Sequence, residues 1–314
     1  MKLLNLISTF QPHRTATVIE EKAEKTKATP IVQWVGGKRQ LIDSYSSFLP
    51  EEFETYYEPF AGGAALLFHF HNKFGNQRNY FISDLNRELI ITYEQVQNNA
   101  TQINKILSDM YERHTKEFYY AVRNIDRTQT SPKRYKKDFD IFDKLTDLEI
   151  AARFLYLNRT CFNAIYRVNK EGMFNVPIGT SLKKDFRFEA TLSKAAQVFR
   201  DTEVKLQCYS KVEELITDKD FVFFDPPYAP LSATSSFTSY TKDGFDVKEQ
   251  KELRDLCVRL DKRGVRFALS NSNCDLIRDL YKDFKIETFE VNRNLNSKKE
   301  KRKNSAEEVL VINY

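Results

Sequence analysis

The chain has 314 residues and is 41% hydrophobic, which provides enough apolar side chain for a buried core and excludes an intrinsically disordered protein. No apolar run reaches the roughly 18 residues of a membrane span, and the N-terminal apolar run is too short for a signal peptide, so we expect a soluble, cytoplasmic protein. The net charge of +5 is compatible with a polyanionic partner but does not identify one.

Residues 8–29 are rich in Thr, Lys, Glu and Ala and lack an apolar period, so we predict a flexible tail over residues 1–30. Predicted strands and helices then alternate. The predicted strands are 53–58, 79–83, 204–209, 221–224, 265–270, 285–291 and 308–313, and the predicted helices are 62–72, 86–98, 246–262 and 274–284. This alternation predicts an α/β fold in which helices cover a mostly parallel sheet.

The alternation is interrupted between about residues 116 and 203. This stretch is charged and aromatic, with a predicted helix near 147–157 followed by a predicted hairpin over 163–179, whose turn residues are Lys170-Glu171-Gly172. We interpret 116–203 as an inserted domain, which leaves 31–115 and 204–314 to form the main domain.

The sequence Asp225-Pro226-Pro227-Tyr228 directly follows the apolar run 221–224. Such a run predicts a strand buried on both faces, and its carboxyl end is where ligands bind in open α/β sheets. The two prolines have no N–H and a fixed φ, so their carbonyls project rigidly with little competition from nearby donors. The motif predicts hydrogen-bond acceptors beside one aromatic ring, although an ordinary strand-ending turn uses the same residues.

A second motif, EPFAGGAA at 58–65, lies where the first predicted strand meets a helix. Small residues there allow a ligand to approach the backbone closely, and the free N–H groups of a helix start favour a negatively charged group. The next predicted strand ends at Asp84, at a spacing that suits hydrogen bonds from a ribose diol. Together these features indicate a bound nucleoside.

The sequence lacks the motifs that are typical of other ligand sites. The GxGxxG spacing of an NAD site is missing, and Gly36-Gly37-Lys38 is followed by Arg39 where a phosphate loop needs Ser or Thr. The four cysteines form no CxxC pair and the histidines have no ligand spacing, so we expect no metal site.

If the nucleoside is S-adenosylmethionine, the two motifs together suggest methyl transfer to an exocyclic base amine. The Asp225 carboxylate and the Pro226 carbonyl would accept the two amine hydrogens and aim the nitrogen lone pair at the methyl carbon, while Tyr228 stacks on the base. A paired base cannot enter such a pocket, so the target would be flipped out of the duplex.

From Ile31 to Tyr314 the sequence resembles the DNA N6-adenine methyltransferases of the Dam and DpnII-methylase kind. Five segments carry the resemblance. They are WVGGKRQL at 34–41, EPFAGG at 58–63, SDLN at 83–86, the run from NRTCFN through YRVN to FNVP at 158–177, and DPPYAPLS at 225–232, which continues into FTSY at 237–240. The resemblance implies a Rossmann-like S-adenosylmethionine-dependent sheet with a helical and hairpin DNA-recognition domain inserted at 116–203.

The resemblance also implies roles for single residues. The implied cofactor-binding residues are Trp34, Lys38, Phe60, Gly62, Asp84 and Asp225. The implied catalytic residues are Asp225, Pro226 and Tyr228. The implied DNA-binding residues are Gln33, Asn163, Ile165 and Arg167, with Asn163 near the space left by the flipped base and Arg167 at a base edge.

Three departures from the family pattern bear on the target sequence. Relatives that methylate GATC commonly have Lys at the position of Gln33, Gly at that of Ala164 and a basic-aromatic pair at that of Thr180-Ser181. GATC is nevertheless the first expected target. The alternatives are a methyltransferase for an RNA base amine and a DNA-binding protein without activity. We expect double-stranded DNA as the partner and a monomer, with a cognate restriction endonuclease as an optional companion.

Overall fold

The computed structural model describes residues 2–14, 27–38, 41–131, 134–181, 185–230, 245–291 and 306–314. These residues form two compact units. The first comprises Met1–Gly37 and Asn86–Val204, and the second comprises Lys38–Leu85 and Lys205–Tyr314. None of the helices in these stretches has the length and hydrophobicity that a membrane span requires. The sequences LS at 231–232 and FTSY at 237–240 lie outside the described residues.

The helices and strands are numbered in chain order. The helices are α1 (Leu3–Thr9), α2 (Ile42–Tyr45), α3 (Ala65–Phe74), α4 (Arg87–Glu112), α5 (Lys116–Arg123), α6 (Ile141–Lys144), α7 (Asp147–Thr160), α8 (Glu189–Arg200), α9 (Val247–Lys262) and α10 (Asp275–Leu280). The strands are β1 (Thr55–Glu58), β2 (Asn79–Asp84), β3 (Arg127–Ser131), β4 (Arg134–Lys137), β5 (Thr202–Leu206), β6 (Phe221–Phe224), β7 (Arg266–Ser272), β8 (Lys285–Val291) and β9 (Ala306–Ile312).

The large sheet has the strand order β5-β2-β1-β6-β7-β9-β8. The pairs β2–β1, β1–β6 and β6–β7 are parallel, whereas β9 is antiparallel to both β7 and β8. The predicted α/β fold is therefore confirmed. The strand order reverses between β1 and β6, and in open α/β sheets this switch point is where ligands bind, outside the carboxyl ends of the strands.

Strand β6 lies in the middle of this sheet and all four of its residues are fully buried. Successive side chains of a strand point to opposite faces. Val222 and Phe224 pack into a cluster with Leu253 and Leu256 of α9. Phe221 instead contacts the ring of Tyr56. Burial on both faces explains why this strand is a continuous apolar run rather than an alternating one.

The first unit is built around α4, α7 and α8. Helix α7 begins with a capping box, in which the Thr146 hydroxyl accepts from the backbone N–H of Glu149 and the Glu149 carboxylate accepts from the backbone N–H of Thr146. Helix α4 continues to Glu112, beyond the predicted end near 98, with one non-helical backbone conformation at Asn99. Packing of α4 against α7 and α8 explains the extra length, because tertiary contacts contribute more to helix stability than local propensity does.

The prediction of a flexible tail is wrong for the part of it that the structure describes. Leu3, Leu6 and Ile7 of α1 are buried, and the backbone N–H of Leu4 donates to Oε1 of Glu149 at 3.1 Å. The apolar residues at 3, 6 and 7 share one helical face, and they are stabilised by burial. Residues 15–26 of the predicted tail lie outside the described residues.

The prediction of a hairpin over 163–179 also needs a correction. The second sheet pairs β3 with β4, which the sequence analysis did not predict because these strands lack alternating apolar residues. In place of continuous strands over 163–179, the structure has two isolated antiparallel bridges, Val168 with Phe174 and Cys161 with Ile178. The turn is nevertheless close to the predicted place, since Gly172 has a φ of +76°.

Candidate active site

Asp225 lies immediately after β6, at the carboxyl edge of the sheet in the second unit. Its Oδ1 is 2.6 Å from Nζ of Lys38 and accepts a hydrogen bond of 2.7 Å from the Ser270 hydroxyl. The Lys38 side chain is only 3% exposed, whereas that of Asp225 is 20% exposed. Asp225 is thus a carboxylate fixed on one side and open to solvent on the other.

The prolines after Asp225 are held by hydrogen bonds from neighbouring elements. Nε2 of Gln250, on α9, donates to the Pro227 carbonyl at 2.9 Å, and the backbone N–H of Ala229 donates to Oδ1 of Asn271 at 3.0 Å. Because the Asn271 amide also donates to Oε1 of Gln250 at 3.2 Å, one buried amide pair holds this segment at two points.

Tyr228 lies beside the same carboxylate. Its hydroxyl donates to Oε2 of Glu308 at 2.7 Å, and Nζ of Lys38 is 4.7 Å from the centroid of its ring. Burial, followed by the negative charge of Asp225, raises the pKa of the Tyr228 hydroxyl well above its usual range. The hydroxyl therefore stays protonated and serves as a donor, while the ring provides a flat surface beside Asp225.

The turn from β1 to α3 has an unusual backbone. Gly62 and Ala64 adopt left-handed conformations, with φ of +44° and +53°. The backbone N–H of Gly62 donates to Oδ2 of Asp84 at 3.0 Å, so the predicted glycine turn and the predicted acid at the end of β2 are in direct contact. Phe60, in the same turn, stacks on Tyr209 with centroids 5.1 Å apart and planes 22° apart.

Glu58, the last residue of β1, is a buried acid beneath this turn. Ala64 provides no capping side chain for α3, and Oε2 of Glu58 instead accepts from the backbone N–H of Leu67 at 3.2 Å. Burial raises the pKa of Glu58 from 4.5 to about 8, and the negative charge of Asp225 contributes in the same direction. The carboxyl group is therefore mostly protonated in the folded protein at neutral pH.

We expect this pKa shift to make the stability depend on pH. Between pH 4.5 and about 8 the folded protein holds a proton on Glu58 that the unfolded chain has lost. The resulting stabilisation is fully present below pH 4.5 and is lost as the pH rises through 8, with a slope of at most about 1.4 kcal/mol per pH unit. Glu58→Gln keeps an uncharged group in place, so its free energy of unfolding should fall less steeply from pH 5 to pH 8 in urea titrations.

The control for this experiment is Glu51→Gln, which removes an exposed acid whose pKa is lowered by its hydrogen bond to Lys73. That acid does not titrate between pH 5 and pH 8, so this variant should keep the wild-type slope. A Glu58→Gln slope equal to that of the wild type would show that Glu58 is ionised in the folded protein.

In the first unit, Asn158 holds the segment that contains Gln33 and Trp34. Its buried amide accepts from the backbone N–H of Gln33 at 2.9 Å and donates to the backbone carbonyl of Gln33 at 2.8 Å. The indole of Trp34 stacks on the ring of Tyr166, with centroids 5.6 Å apart and planes 17° apart. The segment is therefore fixed through its backbone and through one aromatic face.

The predicted DNA-binding residues after α7 lie in the same unit. Asn163 and Ala164 have positive φ of +55° and +51°, a conformation that costs roughly 1–2 kcal/mol for residues other than glycine. Nε of Arg167 donates to Oδ1 of Asn175 at 2.8 Å, while the side chain of Arg167 stays exposed. Asn163 is also exposed and Ile165 is half-buried, so these residues lie on a tightly turned part of the surface.

Comparison with known proteins agrees with the motifs. Residues 34–295 match the model of the D12 class of N6 adenine-specific DNA methyltransferases. The chain belongs to this family. It is 36% identical over 292 residues to the type II methyltransferase M1.LlaDCHI of Lactococcus lactis subsp. cremoris, covering 92% of this chain and 97% of that protein.

Two further relatives align with this chain over nearly their whole length. The type II methyltransferase M.MjaIII of Methanocaldococcus jannaschii is 36% identical over 298 residues, which are 91% of this chain and 99% of that protein. The DNA adenine methylase of Escherichia coli K12 is 30% identical over 288 residues, which are 91% of this chain and 95% of that protein. The predicted enzyme class, an adenine-specific DNA methyltransferase, is therefore confirmed.

The residues of the D12 methyltransferase site fit the cofactor that the family implies. Asp84 and Asp225 are acids at the ends of β2 and β6, the strands on either side of β1 in the sheet. S-adenosylmethionine has a cationic sulfonium, a cationic amine and a ribose diol. Carboxylates favour nearby positive charge, and they accept hydrogen bonds from hydroxyl groups.

The structure divides the predicted residues of this methyltransferase between its two units. The second unit contains Lys38, Phe60, Gly62, Asp84, Asp225, Pro226 and Tyr228, and the first contains Gln33, Trp34, Asn163, Ile165 and Arg167. The sequence did not indicate Glu308, Ser270 or Tyr166, each of which directly contacts a predicted residue. Of these three residues, Tyr166 alone could have been found from a motif, because it stands inside the family segment YRVN.

Proposed function

We propose that this D12 methyltransferase uses S-adenosylmethionine to methylate N6 of an adenine that is flipped out of double-stranded DNA. The observation that carries the proposal is the group of Asp225, the proline carbonyls and the ring of Tyr228 at the carboxyl end of β6. The cofactor, when bound, supplies an electrophilic methyl group. We assign Lys38, Phe60, Gly62, Asp84 and Asp225, together with Trp34, to its binding.

In this proposal, Asp225 and Pro226 accept the two hydrogens of the adenine amine. We assign Pro226 rather than Pro227 because the Pro227 carbonyl already accepts from Gln250. The two acceptors pull the amine toward tetrahedral geometry and direct its lone pair, while the ring of Tyr228 stacks on the base. Methylation leaves an extra proton on N6, and the Asp225 carboxylate is placed to take it.

Lys38 occupies part of the space that the proposal assigns to adenine. Its ammonium group contacts Oδ1 of Asp225 and lies over the ring of Tyr228. The incoming base therefore competes with Lys38 for the ring, while the carboxylate can accept an amine hydrogen with its second oxygen. Glu308, whose Oε2 is 4.0 Å from the same ammonium, is a second acceptor for it.

The proposed target is a short palindrome, with GATC as the first candidate. The test is to express the chain in a host without DNA methylation and to sequence the host DNA and RNA for modified bases. We expect N6-methyladenine in DNA at one short sequence. Methylated adenine in RNA alone would support the RNA alternative, and unmodified nucleic acids would contradict both. The monomeric state and a companion endonuclease stay predictions.

We expect Arg167→Ala to relax the choice of base at one position of the target. An arginine that reads a guanine edge contributes about 1–3 kcal/mol of discrimination, so the rate ratio between the cognate duplex and one singly substituted duplex should fall about 10-fold to 100-fold. The measurement is the methylation rate on a series of duplexes, each with a single base-pair substitution.

The control is Arg259→Ala, which removes another exposed arginine, paired with Glu213 at 2.7 Å. It should leave the rate ratios unchanged. If Arg167→Ala slows methylation equally on every duplex, Arg167 has no role in base recognition.

A further inference from the structure

Trp34 is held on one side and accessible on the other. It is half-buried, and the segment that contains it is anchored through the backbone of Gln33 by Asn158. The ring of Tyr166 lies nearly parallel to the indole, at 17°, and covers one face of it. The orientation of the indole therefore depends on where the Tyr166 ring is placed.

Tyr166 is itself fixed at several points. Its ring packs against Phe154 of α7 at 5.1 Å and against Phe174 at 5.8 Å. Its hydroxyl donates to Oε1 of Glu88, in the first turn of α4, at 3.2 Å. The ring thus has a polar anchor at one end and apolar contacts along its sides.

The polar anchor is part of a buried network. Oε2 of Glu88 is 3.4 Å from Nη1 of Arg153, whose side chain is 1% exposed. Arg153 also donates to the backbone carbonyls of Val122 and Arg123, at 3.2 and 3.0 Å. A charged group with this many fixed partners resists movement, so Glu88 provides Tyr166 with a rigid acceptor.

We propose that Tyr166 is a positioning residue for cofactor binding, which fixes the orientation of the Trp34 indole through their stacked rings, with Glu88 and Arg153 fixing Tyr166. This inference rests on the proposed function, because Trp34 binds the cofactor only under that proposal. Tyr166 acts through Trp34, so its loss should weaken the affinity for the cofactor and leave the chemical step intact.

The test uses the fact that Trp34 is the only tryptophan of the chain, so the tryptophan fluorescence reports on it alone. Tyr166→Leu removes the stacked ring, and Tyr166→Phe removes only the hydroxyl. The matched control is Tyr119→Phe, which also deletes a buried tyrosine hydroxyl in the first unit, one that donates to the Val176 carbonyl at 3.0 Å. Each protein is titrated with S-adenosylhomocysteine, and KM and kcat are measured with S-adenosylmethionine and DNA.

We expect S-adenosylhomocysteine to quench the wild-type fluorescence to saturation. Tyr166→Leu should bind it about 10-fold more weakly, with a matching rise in the KM for the cofactor and a kcat within about 2-fold of the wild type. Tyr166→Phe should show about a 3-fold change in the same direction. Tyr119→Phe should keep wild-type binding even if its melting temperature falls.

Two outcomes separate this inference from the proposed function. If S-adenosylhomocysteine quenches the wild-type fluorescence but Tyr166→Leu keeps the wild-type affinity and KM for the cofactor, the inference is overturned and the proposed function stands. Fluorescence that does not respond in an active wild-type enzyme would overturn the assignment of Trp34, and the inference with it. If circular dichroism shows that Tyr166→Leu is unfolded, unchanged affinity in Tyr166→Phe overturns the inference.

Discussion

Replacing Asp225 by Asn is expected to lower the methylation rate by about 1,000-fold or more while DNA binding stays within a few-fold of the wild type. The carboxylate is the acceptor that would hold the amine and take its proton, and an amide oxygen accepts more weakly and cannot serve as that base at neutral pH. Loss of one preorganised polar group that acts on the reacting atoms typically costs 100-fold to 1,000-fold.

The measurement combines single-turnover methylation of a target duplex with DNA binding by anisotropy. Ser270→Ala is the comparison variant, because it removes the hydroxyl that donates to Oδ1 of Asp225 at 2.7 Å but keeps the carboxylate. It should slow methylation by no more than about 10-fold, since Lys38 still contacts that oxygen at 2.6 Å. Activity of Asp225→Asn close to the wild-type level would refute the catalytic role of Asp225.

Arg153→Met is expected to destabilise the folded protein by about 3–5 kcal/mol. Removing one partner of a buried ion pair leaves the other charge without compensation in a low-dielectric interior. Here Glu88 loses the arginine that contacts it at 3.4 Å, and Arg153 is 1% exposed. Asp126, at 3.8 Å from Arg153, keeps its buried contact of 2.7 Å with Nε of Arg127. Met has a similar length, so it fills most of the space and the loss is mainly electrostatic.

The free energy of unfolding should be measured by urea titration in the absence of ligands, because bound ligands stabilise the folded state. The control is Lys211→Met, which breaks an ion pair with Glu214 whose side chains are 58% and 67% exposed. Exposed pairs contribute little, and this variant should be indistinguishable from the wild type. A loss below about 1 kcal/mol in Arg153→Met would mean that water or other groups compensate Glu88.

Glu58 and Asp225 show how environment separates two similar acids. Glu58 is fully buried and has a pKa raised to about 8, whereas the Asp225 side chain is 20% exposed and contacts Lys38. Glu58 mainly completes the start of α3 through Leu67. The two residues stand at the ends of adjacent strands, yet only Asp225 combines access with a fixed geometry.

The local sequence was sufficient to predict the strands, turns and strand ends that depend on neighbouring residues along the chain. The apolar run Phe221–Phe224 predicted a strand buried on both faces, because such a strand excludes polar residues at every position. The prolines after it ended the strand. The glycine turn at Gly62 after β1 and the acid Asp84 at the end of β2 stand where the local sequence predicted them. The family resemblance added the enzyme class, which the D12 match confirms.

Tertiary structure alone decided the contacts between distant segments. Tyr228 and Glu308 are 80 positions apart, and Gln33 and Asn158 are 125 apart, so no local period or spacing links them. Whether a polar side chain is a surface group or a buried anchor depends on which element packs over it. That choice is made by the burial of apolar surface across the whole unit, as the buried face of helix α1 also demonstrates.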